Sequence, residues 1–261
     1  MIYVTGASGL IGSRFMELCN YPITKVSYRD EVIDVFQSHE KSCLIHLAWS
    51  STTRNTYDEL EKVIKSDVAN SKKLFDYYVN KNPNGKIIFI SSAGDLHLGY
   101  EKTVWEDYDP SPHSLYGECK LHVENMLKEL CCKTITLRVS NVWGSSVKKD
   151  RINGLVDKLL NSIDTDKVIE IFADLKTRVD LIHIDDFIDL LIKVVDKELE
   201  KQHELFLVGN QSISISNIID VISRRGSLNL KINQKSERTY LHIENSKVRT
   251  TFNWQPKHIL K

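Results

Sequence analysis

The sequence predicts an α/β fold, a doubly wound parallel sheet followed by a smaller mixed α/β lobe, on three observations. First, a β-branched segment at the N-terminus, Ile2-Tyr3-Val4, runs directly into glycines at positions 6, 9 and 12 and then into an amphipathic stretch. Second, short continuous apolar runs alternate with segments of helical spacing as far as Ser145. Strands that are apolar on both faces belong to parallel sheets covered by helices on each side. Third, beyond Ser145 that rhythm gives way to strands and helices in mixed order, as expected of a lobe resting on the C-terminal edge of the sheet.

The elements follow in turn. Ile2 to Val4 is a strand, and Leu10 to Leu18 a helix; strand, glycine turn and helix form the opening of a Rossmann unit. A second strand is expected near Lys25 to Tyr28, a short helical stretch around Val32 to Phe36, and a third strand within Cys43 to Ala48. Lys62 to Val79 has helical spacing, and Lys86 to Ile90 is an apolar run ending in Ser91-Ser92. His113 to Leu130 reads as helix and Thr134 to Val139 as strand. Ile152 to Leu160 is again helical, and after an Asp/Lys-rich turn come the runs Val168 to Phe172, Val179 to Ile184, Phe187 to Val195, Leu205 to Val208 and Ile215 to Ile222. These runs place a Rossmann domain at residues 1–145, completed by a sixth strand and some later elements, and a mainly substrate-binding lobe at 146–261. Repeats and low-complexity tracts are absent.

Bulk properties narrow the function. At 261 residues the chain suits one large domain with a small lobe. Lys plus Arg and Asp plus Glu both number 35, so no general attraction to nucleic acid or to an anionic membrane follows, and any anionic ligand must be held by local groups. No apolar run approaches the roughly 20 residues of a membrane span, and no basic segment followed by an apolar core precedes Ile2. Five cysteines, only Cys131 and Cys132 adjacent, fit ordinary thiols in a reducing cytoplasm, and no metal-ligand spacing stands out.

The turn Thr5-Gly6-Ala7-Ser8-Gly9-Leu10-Ile11-Gly12 is suited to a phosphate. Glycine tolerates positive φ, lets a pyrophosphate approach the backbone and permits close helix-on-strand packing, while the helix N-terminus supplies amide donors. A dinucleotide cofactor is the expected occupant, held by Gly6, Ser8, Gly9, Leu10, Ile11 and Gly12. An acidic residue about 20 positions on accepts the ribose hydroxyls of NAD in such folds. Here the second strand ends in Arg29-Asp30; Asp30 suits NAD, Arg29 suits the 2′-phosphate of NADP, and the expectation leans to NADP.

Tyr-x3-Lys occurs three times, as Tyr21/Lys25, Tyr77/Lys81 and Tyr116/Lys120, and with 10 tyrosines and abundant lysine about one such pair arises by chance. Position in the fold selects among them. Tyr21 lies between first helix and second strand, on the N-terminal side of the sheet, and Tyr77 sits late on a helix returning to that side. Tyr116 instead follows a proline-bearing loop that leaves the top of the strand ending at Ser92. On a helix Tyr116 and Lys120 share one face, so the ammonium can lie near the phenol and, together with an oxidised nicotinamide, favour the phenolate. Tyr116 then serves as acid or base at a carbinol or carbonyl oxygen, and Ser92 hydrogen-bonds that oxygen.

With these residues in this order, the chain resembles an extended short-chain dehydrogenase/reductase of the NAD-dependent epimerase/dehydratase group. Ile45-His46-Leu47-Ala48 resembles that group's fourth-strand signature, and Leu137 to Gly144, containing Ser140-Asn141-Val142-Trp143, its strand-six segment. Arg178 to Asp186 resembles the segment that opens its substrate lobe, and Ser246-Lys247-Val248 with Phe252 to Pro256 its closing motif. The likeness covers nearly the whole chain. It implies a nucleotide-diphosphate sugar as substrate, cofactor contacts from Leu47, Ala48, Tyr116 and Lys120, diphosphate contacts from Asn141 and Arg178, structural roles for His46 and His183, and a homodimer through the helix bearing Tyr116. Two departures stand out. Trp49 occupies a place commonly held by a small residue, narrowing the cleft near the cofactor; and the chain stops at Lys261, where many relatives continue into a final helix, so a trimmed substrate lobe is expected.

The function expected first is reduction of a nucleotide-linked 4-keto-6-deoxyhexose by NADP or NAD, followed by a 4-epimerase with bound NAD. A dehydratase would want an acidic pair just after Ser92, where Ala93-Gly94 stand, leaving Asp95 as a remote candidate. A non-catalytic NAD(P)-sensing protein on the same fold is the alternative from another class; such proteins often lack the Tyr/Lys pair.

Overall fold

The computed structural model describes residues 1–27, 35–39, 41–97, 99, 103–144, 154–198, 200–233 and 239–261. It begins with β1 (Ile2–Thr5), α1 (Leu10–Leu18), β2 (Ile23–Val26) and β3 (Cys43–His46). Next come α2 (Leu60–Val63), α3 (Asn70–Lys81), β4 (Lys86–Ser92), α4 (Ala93–Leu96), α5 (Leu115–Lys128), β5 (Lys133–Val139) and β6 (Asn141–Trp143). The rest comprises α6 (Leu155–Leu160), β7 (Val168–Ile171), β8 (Arg178–His183), α7 (Ile184–Asp196), β9 (His203–Val208), β10 (Gln211–Ser214), α8 (Ile215–Ser223), β11 (Asn229–Ile232) and α9 (Ser246–Phe252).

Six strands, all parallel, make the central sheet in the order β2-β1-β3-β4-β5-β9. The period-2 alternation of strand side chains explains why these strands are apolar throughout. Ile2, Val4, Ile45, Ile88 and Leu137 face a layer that includes Phe15 of α1, Phe187 and Leu191 of α7, Val248 of α9, and Trp254. Tyr3, Leu44, Ile87 and Phe89 face the opposite layer, with Leu74 and Tyr78 of α3 and Val123 and Leu127 of α5. Burying a side chain of this size contributes about 1.5–3 kcal/mol, so both layers are needed to hold the sheet.

The lobe carries a three-stranded sheet, β10-β8-β6, and a two-stranded pair, β11-β7. Its own core joins Val156 and Leu159 of α6 to Ile169, Leu181, Ile213 and Ile218.

The structure amends several expectations. Leu137 to Gly144 is two strands in two sheets: β5 ends at Val139, Ser140 turns the chain while its amide donates to Val208 O (2.8 Å), and β6 pairs with β8. The sixth strand of the main sheet is β9, and α7 packs against α1, so both strand and covering helix come from beyond residue 145. Ile184 opens α7 rather than ending a strand. The helix expected from Lys62 begins at Leu60 and contains a π-helical stretch, Ile64–Ala69, that turns Asp67 fully inward. Residues 32–34 of the expected helical stretch, and 152–153 of another, lie outside the described residues. No described helix is long and apolar enough to cross a membrane, and all five cysteines are free thiols.

Candidate active site

Above the C-terminal ends of β3, β4 and β5 lies a cavity of about 660 Å³, within the range that takes a small-molecule ligand. The glycine turn stands beside it. Gly6 has φ +67°, and a Cβ there would lie 2.6 Å from the Ala48 amide nitrogen; on Gly12 it would lie 2.1 Å from Gly6 O. Packing alone therefore demands both glycines. Gly9 differs: a Cβ would meet only Gly6 O, at 3.2 Å, so its outer side is open. Gly9 is also the N-cap of α1, which has no side-chain cap, so no side chain competes for the first-turn amides. This turn fits a dinucleotide pyrophosphate, held by the amides around Gly9, Leu10, Ile11 and Gly12, with Ser8 exposed on the turn. Arg29 and Asp30 lie outside the described residues.

A buried polar chain fixes the far side of that turn. Thr5 Oγ1 accepts the amides of Leu47 (3.2 Å) and Ala48 (3.1 Å), so its own hydrogen goes to His46 Nδ1 (2.8 Å). That leaves the ring proton on Nε2, which donates to Ser71 Oγ (2.9 Å). Burial, with Lys120 adding to it, pushes His46 down to about 3, so it stays neutral. Asp67 closes the chain: its carboxylate accepts the Ser50 amide (2.9 Å), the Ser50 hydroxyl (2.7 Å) and the Ser51 amide (2.9 Å), holding the loop that carries Trp49. Asp67 was missed in the sequence, although a signal exists: Asp67 and Ser71 interrupt the otherwise apolar face that runs from Val63 to Leu74.

Ser92, Tyr116 and Lys120 all line the cavity, together with Ile11, Leu47 and Asn141. Tyr116 and Lys120 come from the first turns of α5, whose N-cap Ser114 accepts the Gly117 amide (3.4 Å) and donates to Asp95 Oδ1 (3.0 Å). One turn beyond Lys120, Glu124 forms a buried ion pair with Arg138 of β5 (2.7 Å), so α5 is tied to the sheet. Ser92 caps α4 by accepting the Asp95 amide (3.3 Å), and its hydroxyl hydrogen-bonds Tyr116. Asp95 itself packs against Ser114 and Gly117 and does not line the cavity, so the acid/base role considered for it has no access to a ligand there. Tyr21 and Tyr77 are about half exposed (45% and 51%), away from this cavity.

The electrostatics depart from the expectation that Lys120 favours the phenolate. Burial first, then Asp95, pushes Tyr116 up to about 12, against the opposing hydrogen bond from Ser92. Lys120 is itself pushed down to about 7 by burial, against the pull of Asp67 and Glu124. Its ammonium donates to Ile90 O (2.8 Å) and lies 3.8 Å from the Trp49 ring centroid, against 5.6 Å for Tyr116. In the protein by itself, Tyr116 therefore keeps its proton.

Asn141 reaches the cavity while its Nδ2 donates to Asp180 O (3.0 Å). Arg178 is not brought there. At the start of β8, its guanidinium donates to Ser212 O (2.6 Å) and Ser212 Oγ (3.3 Å) and lies beside Tyr240. Asn141 pairs with Leu181, three residues further along β8, which separates Arg178 from it by about 10 Å of strand. Two other cations do line the cavity, Arg54 and Lys158. Among the described residues no group of three His, Cys, Asp or Glu side chains could hold a metal ion.

Comparison with known proteins adds to this geometry. The model of the NAD dependent epimerase/dehydratase family matches residues 2–209. A dTDP-4-dehydro-6-deoxyglucose reductase of Escherichia coli is 29% identical over 213 residues, covering 79% of this chain. The chain spans 64% of that protein's length. Among solved structures, MoeE5 in complex with UDP-glucuronic acid and NAD superposes with a TM-score of 0.86 at 17% identity, covering 99% of this chain and 94% of that one. RMD from Pseudomonas aeruginosa complexed with NADPH gives 0.82 at 15% identity, with the same two coverages. The UDP-glucose 4-epimerase of Thermotoga maritima with UDP-glucose also gives 0.82, at 20% identity and the same coverages. At these identities the structural likeness shows a shared fold.

Proposed function

The chain belongs to the NAD dependent epimerase/dehydratase family, and from that premise we propose that it reduces a 4-keto-6-deoxyhexose carried on a nucleoside diphosphate. The observation that carries this reading is the convergence of Tyr116, Ser92 and Lys120 on one cavity beside the glycine turn. A nicotinamide cofactor with its pyrophosphate at that turn would supply hydride to the carbonyl carbon. Tyr116 delivers its proton to the carbonyl oxygen, and Ser92 holds that oxygen by hydrogen bond. Lys120 lies under the Tyr116 side chain and would contact the cofactor, as would Leu47 and Ala48.

Two facts favour net reduction over epimerisation. Tyr116 is held protonated by burial and Asp95, the state a proton donor needs at the start of a reduction. The similar protein from Escherichia coli is a reductase of such a sugar. For the cofactor we propose NADP, bound through Arg29, with Asp30 as the residue that would instead suit NAD.

The test is to incubate the purified protein with NADPH or NADH and a panel of nucleotide 4-keto sugars and hexoses, following cofactor oxidation and product mass. Stoichiometric NADPH consumption with a mass gain of two hydrogens is the expected result. Retention of NAD with interconversion of nucleotide sugars, and no consumption of added NADPH, would replace this reading with the epimerase.

A further inference from the structure

We infer that Arg54 and Lys158 grip the diphosphate of the substrate across the mouth of the cavity. This inference rests on the nucleotide-sugar reading above and assigns the residues that reading requires. Arg54 comes from the loop after β3, on the sheet side; Lys158 comes from α6, on the lobe side; both line the same cavity.

Their surroundings set them apart from Lys120, the other cation among the described residues that line the cavity. Among the described residues, neither side chain has a hydrogen bond or a carboxylate partner; each contributes only its backbone amide, Arg54 to Thr52 Oγ1 and Lys158 to Gly154 O. Arg178, by contrast, is engaged with Ser212, and Lys120 with Ile90 O. The one carboxylate among the described residues lining the cavity, Glu170, is paired with Lys231 (2.7 Å).

Arg54 and Lys158 also act on each other. The Lys158 ammonium is held below its ordinary pKa, first by burial, then by Arg54 and Lys167. Bringing two like charges together costs free energy unless an anion sits between them. In a chain whose formal net charge is zero, that arrangement at a ligand cavity calls for an anionic ligand. A diphosphate offers one phosphate to each, with the planar guanidinium able to bind one of them bidentately. An anion bound there would also bridge sheet and lobe, keeping the sugar end directed toward Ser92 and Tyr116.

The test is titration calorimetry of the full-length protein with dTDP, UDP, GDP, CDP and ADP, the corresponding nucleosides and inorganic pyrophosphate, on wild type, Arg54→Ala, Lys158→Ala and the double variant. Both side chains are on the surface or half-buried, so the variants should fold; circular dichroism and an unchanged affinity for NADPH check this. Each single variant should weaken nucleoside diphosphate binding about tenfold, one lost charge-assisted contact apiece. Nucleoside binding should not change, and the KM for the nucleotide sugar should rise more than kcat falls. Arg54→Lys should restore part of the loss. Variants that bind the nucleoside diphosphates as wild type does would overturn the assignment while leaving the proposed function intact. A wild type that binds none of them would overturn the nucleotide-sugar reading itself.

Discussion

The ammonium of Lys120 lies 3.8 Å from the centroid of the Trp49 indole, and the Phe89 ring is 4.7 Å away. A cation over an aromatic face is stabilised by about 0.5–2 kcal/mol, more when water is excluded. Trp49 thus both attracts this charge and keeps it dry, two effects that oppose each other on its pKa. Burial is the larger cause of the depression to about 7, so Trp49→Ala, which opens the site to water, should raise the Lys120 pKa. Trp49→Phe should leave it low. Titration of the lysine ammonium followed by NMR checks this, and equal midpoints in wild type and Trp49→Ala would defeat it.

The glycines of the turn should separate folding from binding. Gly12→Ala places a methyl 2.1 Å from a backbone oxygen and should cost on the order of 3 kcal/mol or more of stability. Gly9→Ala has room inside the protein and the extended φ of −75° that alanine accepts, so its stability should change by only about 1 kcal/mol. Its methyl occupies the side where a pyrophosphate would approach, and cofactor affinity should fall about tenfold or more. Thermal unfolding and a cofactor titration on the two variants read these effects independently.

Lys120 makes the cofactor-free protein sensitive to pH. Its folded pKa, about 7, is below the ordinary 10.5, so between those values the unfolded chain binds a proton that the folded chain has released. Stability therefore rises with pH across that window, and the full penalty of the buried charge is felt below pH 7. At about 1.36 kcal/mol per pH unit, the interval sets a ceiling on the order of 5 kcal/mol. Lys120→Met, which keeps the stem and removes the charge, should be more stable than wild type at pH 6.5, with the gain shrinking toward pH 10. Urea unfolding at the two pH values would show it.

Tyr116→Phe removes the proton donor of the proposed reduction and leaves the ring packed beside Trp49 (6.2 Å between centroids). Turnover should fall about 10²- to 10⁴-fold, with cofactor affinity near normal. An unchanged rate would remove Tyr116 from the mechanism.

The parts of this molecule legible in the sequence are those whose cause is local. Glycines 6 and 12 are set by backbone contacts within one turn and its neighbouring strand. The apolar runs of β1, β3 and β4 follow from burial on two faces, and the spacing of Tyr116 and Lys120 puts them one helical turn apart wherever that helix packs. Helix limits were less legible: the π-helical stretch around Asp67 depends on three donors from residues 50 and 51, on a different element.

By itself, then, the sequence determined the α/β class, the strand–turn–helix opening and the family to which the chain belongs, because short-range sterics and alternating burial write themselves into consecutive residues. Tertiary structure alone decided where the charged groups went. Arg178 and Arg54 look equally free along the chain, yet one donates to Ser212 while the other lines the cavity. Likewise, a lysine drawn beside a tyrosine by helical spacing spends its charge on Ile90 O and the Trp49 ring. Hydrogen-bond partners and desolvation come from segments distant in sequence, and those two terms outweigh the spacing in setting what Tyr116 and Lys120 carry.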